Sequence, residues 1–233
     1  MHFHLPKPLH GWREFAGEVG IIVIGVLIAL AFGQVAQSLR DRSSADEARE
    51  AVRAEVRENL WWLQFRAGYE PCINNMLGKL NGVLAQARNG QPTPRLKDVR
   101  LPVHSKITSL RWDANAEAGR ASLFSGDEQR NLGNMYFTTE EFRSSQEAEE
   151  TIWAKLGFLN GLDRFTPLDV HELAMLLAEA RYRDFRAQLD IERGRQWASK
   201  LRLTAANPNS VESIQSQTSS KAIECPALIE AAS

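Results

Sequence analysis

The chain has 233 residues, a formal net charge of −1, 43% apolar residues and 24% charged residues. That length allows one ordinary domain or two beside any anchor, and six tryptophans with ten phenylalanines are enough for a real core. Charges of both signs are interspersed with no basic block, which argues against a nucleic-acid partner.

The opening stretch MHFHLPKPLHGWREF holds three histidines and two prolines. His2 and His4 alternate, but no third ligand follows at usable spacing and no cysteine is near, so a metal site is not expected. Residues 1–14 read better as an interfacial tail. Lys7 and Arg13 suit lipid phosphates, Trp12 and Phe15 suit the headgroup level, and Pro6 and Pro8 keep the tail from becoming helix.

Residues 15–36, FAGEVGIIVIGVLIALAFGQVA, contain an unbroken apolar run from Gly20 to Phe32. Twenty-two residues of helix span roughly 33 Å at about 1.5 Å per residue, enough for a hydrocarbon core of about 30 Å. Glu18 and Gln34 then fall near the two interfaces. This spacing predicts a single transmembrane helix, with membrane lipid as its first partner. The alternative is a cleaved signal peptide ending at Ala29-Leu30-Ala31. The helical pattern runs straight through that site, which favours the anchor. Gly25, Ala29, Gly33 and Ala36 share one stripe of the helix, where another membrane protein or a second copy could pack closely. Their abundance in any membrane helix is the plainer explanation.

The wording PKPLHGWREF followed by GEVGIIVIGVLIAL resembles the opening of a family of uncharacterised, mostly proteobacterial single-pass membrane proteins. A similar GE-plus-IGVLIAL anchor opens related bacteroidetal families. The match is specific over residues 6–30 and much looser beyond. The resemblance implies a bacterial inner-membrane protein with an exported helical domain, and it carries no activity and no catalytic residues.

Residues 37–205 read as a helical-bundle domain. From Gln37 to Gly68 apolar residues recur every three to four positions with no glycine or proline between. Trp61 and Trp62 are adjacent and cannot both face one core, so they mark either a possible interaction surface or core plus groove. Pro71 suits the first position of the next helix, whose stripe runs from Ile73 to Ala87 and stops at Asn89-Gly90. A connection with Pro92, Pro94 and Pro102 follows. Helix is expected again over residues 106–123. Ser125-x-x-Glu128 has the form of a capping box opening a helix with a possible break at Thr138-Thr139. Thr166-Pro167-Leu168-Asp169 opens a last long helix, weakened at Gly194. Residues 206–233 form an irregular polar tail. The fold class is all-α: one N-terminal transmembrane helix, then an antiparallel, up-and-down bundle.

Cys72 and Cys225 lie at opposite ends of this body, each beside a proline. They form either one possible disulfide in an oxidising compartment or two ordinary buried thiols. A bridge would close a loop of about 150 residues, worth roughly 5 kcal/mol by loop-closure entropy. Positive charges flank the span on both sides, Lys7 and Arg13 before it and Arg40, Arg42 and Arg49 after it. The orientation expected is an N-terminus in the cytoplasm with the C-terminal domain in the periplasm.

Chemistry is sparse. There is no phosphate loop, no dinucleotide fingerprint, no H-E-x-x-H and no C-x-x-C. His171 and Glu172 are neighbours on a helix and point about 100° apart. Neither catalytic residues, a cofactor nor a metal is expected. The reading is a non-enzymatic accessory subunit or scaffold of a membrane protein complex. The alternative is a periplasmic sensor or ligand-binding module acting through a partner.

Overall fold

The computed structural model describes residues 12–206 together with Cys225 and Leu228. Five α-helices carry the fold: α1 (Trp12–Gly68), α2 (Glu70–Arg88), α3 (Leu110–Glu117), α4 (Gly126–Leu156) and α5 (Pro167–Lys200). Short 3-10 turns at Arg120–Leu123 and Gly157–Leu159 follow α3 and α4. Among the described residues no β-strand forms, and strand-like pairing is confined to one isolated bridge between Leu96 and Asn160. The all-helical class expected from periodicity is the class observed. The chain divides into two compact units, Met1–Ala48 and Arg49–Ser233.

In the first unit, every residue from Ile21 to Arg40 is exposed. Ile21, Ile22, Leu27, Leu30 and Phe32 each stand more than half open. Among the described residues one helix, near the N-terminus, is long and apolar enough by length and composition to cross a membrane.

In the second unit, local chemistry sets where helices begin and end. Pro71 sits in the first turn of α2, where its missing N–H costs nothing. The helix stops at Asn89, beyond which Gly90 takes φ +65°. The Thr166 hydroxyl accepts from the Asp169 backbone N–H, and the Asp169 carboxylate accepts from the Thr166 N–H, a reciprocal cap for α5. At α4 the cap is one-sided. The Ser125 hydroxyl accepts from the Glu128 N–H at 3.2 Å, while the Glu128 carboxylate is taken by Arg49.

Three local expectations change. The helix expected over residues 106–123 shrinks to Leu110–Glu117, followed by the left-handed Gly119 and a 3-10 turn. Its start is fixed from outside, because the Glu55 carboxylate accepts the N–H groups of Arg111 and Trp112 at 3.0 and 3.1 Å. At Thr138-Thr139 α4 does not break. Both hydroxyls turn back onto backbone carbonyls, of Asn134 and Tyr136, so the β-branched pair stays within the helix. Where Gly194 is expected to weaken α5, the helix runs on unbroken through a buried position.

Pairings across the second unit set chain direction. Between α1 and α4 they ascend together, Arg49 with Glu128, Glu55 with Tyr136 and Arg66 with Glu149. Between α1 and α5 they descend, Arg53 to the Leu201 carbonyl and Leu63 against Gly194. Arg186 of α5 meets Glu141 of α4, and Arg66 joins Glu149 to Asp184. Thus α1 and α4 run the same way and α5 runs against both. The order is not a plain up-and-down one, because the long connection between α2 and α3 returns the chain before α4 begins. The core has an apolar cluster where α2, the connection, the end of α4 and the start of α5 meet, with Met76, Leu80, Trp153, Leu156 and Leu173 at its centre.

Candidate functional site

The most unusual chemistry in the second unit is a buried ionic layer. Arg66 is fully buried, and one of its terminal nitrogens donates to Glu149 at 3.0 Å and to Asp184 at 2.7 Å. The other terminal nitrogen reaches Glu70 at 3.4 Å, and Gln188 bridges Glu70 and Asp184. One guanidinium from α1 therefore ties together carboxylates from α2, α4 and α5. Three acids around one base in a poorly solvated place shift one another. Burial, with the negative charge of Asp184, holds Glu149 above the usual carboxylate range against the pull of Arg66. Glu70 is raised by burial and by Asp184. For Arg66, burial alone lowers the value, but Glu149 and Asp184 more than offset it. The Glu149 oxygen not facing Arg66 and the Arg66 Nε have no hydrogen-bond partner. Such a layer gives little stability over apolar packing, while removing one of its partners leaves an uncompensated buried charge and is costly.

A second arrangement holds the proline-rich connection. Asn59 donates to the Thr108 carbonyl at 2.7 Å and accepts from the Thr108 N–H at 3.1 Å. Gln146 accepts from the Ser105 N–H and donates to the Ser105 carbonyl. Asn160 accepts from the Val99 N–H, Gly161 N–H donates to the Leu96 carbonyl, and Lys97 N–H donates to the Leu228 carbonyl. An extended segment thus finds its backbone partners in side-chain amides and in isolated backbone groups, without a neighbouring strand among the described residues.

The residues singled out from sequence fall in separate places. Trp12 is 80% exposed and Phe15 is exposed too, their rings 6.1 Å apart. Lys7 and the Arg13 side chain lie outside the described residues. Gly25 and Gly33 have open space where a Cβ would stand, and Ala29 and Ala36 are exposed. Trp61 and Trp62 are both half-buried and pack on each other and on Phe65, which also meets Tyr69. Cys72 and Cys225 form a disulfide with Cα atoms 5.5 Å apart, and Leu228 just beyond it is fully buried in the apolar cluster. His104 contacts Glu150 and Gln146. Among the described residues no three metal-ligating side chains converge.

Sequence reasoning missed the ionic layer and the amide clamps. Arg66, Glu149 and Asp184 carry one signal in the sequence, their placement. Each occupies a position that helical periodicity assigns to the inner face.

No family model, curated protein or solved structure matches the chain.

Proposed function

We propose that the protein is a single-pass, membrane-anchored helical protein with a non-enzymatic role, as an accessory subunit or scaffold of a membrane protein complex. The observation that carries this reading is the N-terminal helix. From Ile21 to Arg40 its side chains stand open along its whole circumference, and exposing that much apolar surface to water is strongly unfavourable. Lipid is the medium that suits it. Residues 6–30, by their resemblance to proteobacterial single-pass proteins, favour the bacterial inner membrane. The Cys72–Cys225 bridge suits an oxidising compartment, hence a periplasmic C-terminal domain and a cytoplasmic N-terminus. In that compartment Arg49–Ser233 forms a bundle in which α5 runs against α1 and α4. A partner, either another membrane protein or a second copy, meets the open small-residue stripe of Gly25, Ala29, Gly33 and Ala36.

The test is fractionation of cells making the full chain. The protein should stay with membranes through an alkaline carbonate wash and leave only with detergent. Release by carbonate alone would end the anchor reading. Recovery from mild detergent as a monomer with nothing co-migrating would end the scaffold reading.

A further inference from the structure

One face of α5 is buried, with Leu173, Leu177, Ala180, Ala187 and Ile191 in the interior. The opposite face is apolar as well. Leu168, Met175, Tyr182 and Phe185 are 72%, 62%, 54% and 55% exposed. Leu168, Met175, Tyr182 and the half-buried Leu189 recur every seven residues, and Ala178 and Phe185 fall three positions after Met175 and Tyr182. That is the seam of a coiled coil, apolar at both positions from Met175 to Leu189 and bounded by His171 and Glu192, on the solvent side of a helix already packed on its other side.

The flanks of the seam say what covers it. The positions four residues after each heptad repeat are Glu172, Glu179, Arg186 and Arg193. Their sign changes once, half-way along the helix. We propose that a second copy of this chain covers the seam, the two α5 helices lying antiparallel about a two-fold axis between Tyr182 and Phe185. In that arrangement Tyr182 of each copy packs on Phe185 of the other. Glu172 then faces Arg193 of the second copy, and Glu179 faces its Arg186, giving four opposite-charge pairs per dimer. The other flank sets Arg181 beside Gln188 and Ala174 beside Arg195, with no like-charge pair. A parallel dimer instead brings Arg181 against Arg186 of the second copy, which is repulsive.

Glu179 reaches Arg183 at 3.5 Å, Arg186 reaches Glu141 at 3.3 Å and Arg193 reaches Asp190 at 3.2 Å. In the first two pairs both partners are 30% exposed or more, where an ion pair contributes little. Asp190 is fully buried, so Arg193 keeps that bond and can reach Glu172 of the second copy only with the rest of its guanidinium. The contact is isologous and closes after two copies, so it makes a dimer and not a filament. This inference rests on the reading of the protein as one that acts by binding. It concerns the Arg49–Ser233 unit and does not depend on the anchor.

The experiment uses two charge variants of the full chain in mild detergent, weighed by native mass spectrometry and sedimentation. Glu172→Arg with Glu179→Arg makes the flank wholly basic, and Arg186→Glu with Arg193→Glu makes it wholly acidic. Wild type is expected to dimerise. Each variant alone should self-associate about tenfold more weakly or worse, since all four pairs become repulsive. An equimolar mixture should restore the dimer as a heterodimer, with unchanged helical circular dichroism. A monomeric wild type overturns the proposal. So do variants that dimerise as wild type does, or a mixture of folded variants that stays monomeric. A failed seam leaves carbonate-resistant membrane retention untouched, so the two readings fail separately.

Discussion

Gly194 of α5 and Leu63 of α1 meet so closely that a Cβ built at position 194 would stand 2.5 Å from the Leu63 Cδ1. Leu63 is wholly buried, so a methyl at position 194 would require its Cδ1 to move within the core. The glycine lets the leucine approach the α5 backbone, although glycine costs about 1 kcal/mol in a helix relative to alanine.

Gly194→Ala should lower stability by about 1–2 kcal/mol, since overpacking of about 1–3 kcal/mol outweighs the gain in helix propensity. Leu63→Ala alone should cost about 2–5 kcal/mol. The double variant should cost less than the sum of the two, because the new methyl occupies space that the leucine vacates. Urea melts of the four proteins check this, and strict additivity would show that the two sites do not touch.

Removing the centre of the ionic layer should be costly. Arg66→Leu leaves Glu149 and Asp184 buried without their cation and is expected to cost about 3–5 kcal/mol. Adding Glu149→Leu and Asp184→Leu in the same chain should recover most of that loss. Chemical denaturation decides between this outcome and a layer that stabilises on its own account, for which the triple variant stays as weak as the single one.

The same layer sets a pH dependence. Glu149 and Glu70 are raised from 4.5, and Asp190, buried between helices, is raised from 3.8, chiefly by burial. A carboxyl with a raised folded value holds its proton longer folded than unfolded, so its contribution is largest at low pH. It declines as pH rises from the unfolded value through the folded one. Asp169, lowered by its bonds to Thr166, acts in the opposite sense and loses its contribution as pH falls below 3.8. Melting from pH 4 upward should show the decline, and Glu149→Gln should flatten it. An unchanged slope in that variant would place the titration elsewhere.

The amide clamps predict a local effect with little global one. Asn59→Ala removes both bonds to Thr108 and should cost about 1–3 kcal/mol. Exchange at the Thr108 amide should rise markedly more than exchange at amides in the middle of α4. Gln146→Ala should do the same at Ser105. Equal acceleration at every site would mean that the clamps hold the whole bundle and not the connection alone.

Helix-level organisation was legible because it depends on periodicity and capping. Pro71, Ser125 and Thr166-Pro167-Asp169 each mark a real helix start, and Asn89-Gly90 marks a real end. The route between helices was not. Nothing in the local sequence says that Asn59 reaches a residue 49 positions away, or that Glu55 supplies the cap that shortens α3. Chain direction was hidden for the same reason, since it follows from partners such as Arg49 and Glu128, 79 residues apart. Gly194 misled in an instructive way. Read locally it weakens a helix, whereas in three dimensions it admits Leu63.

The bond between Cys72 and Cys225 encloses α2, the connection, α3, α4 and α5 in one covalent ring. A pull applied between the two termini passes through the sulfur bridge and skips the 153-residue arc. Under tension the chain can peel α1 away from its neighbours, but it cannot pay out the remaining helices like rope. Held at its amino end and pulled from the other, the bridged chain stops extending once that first helix has come free.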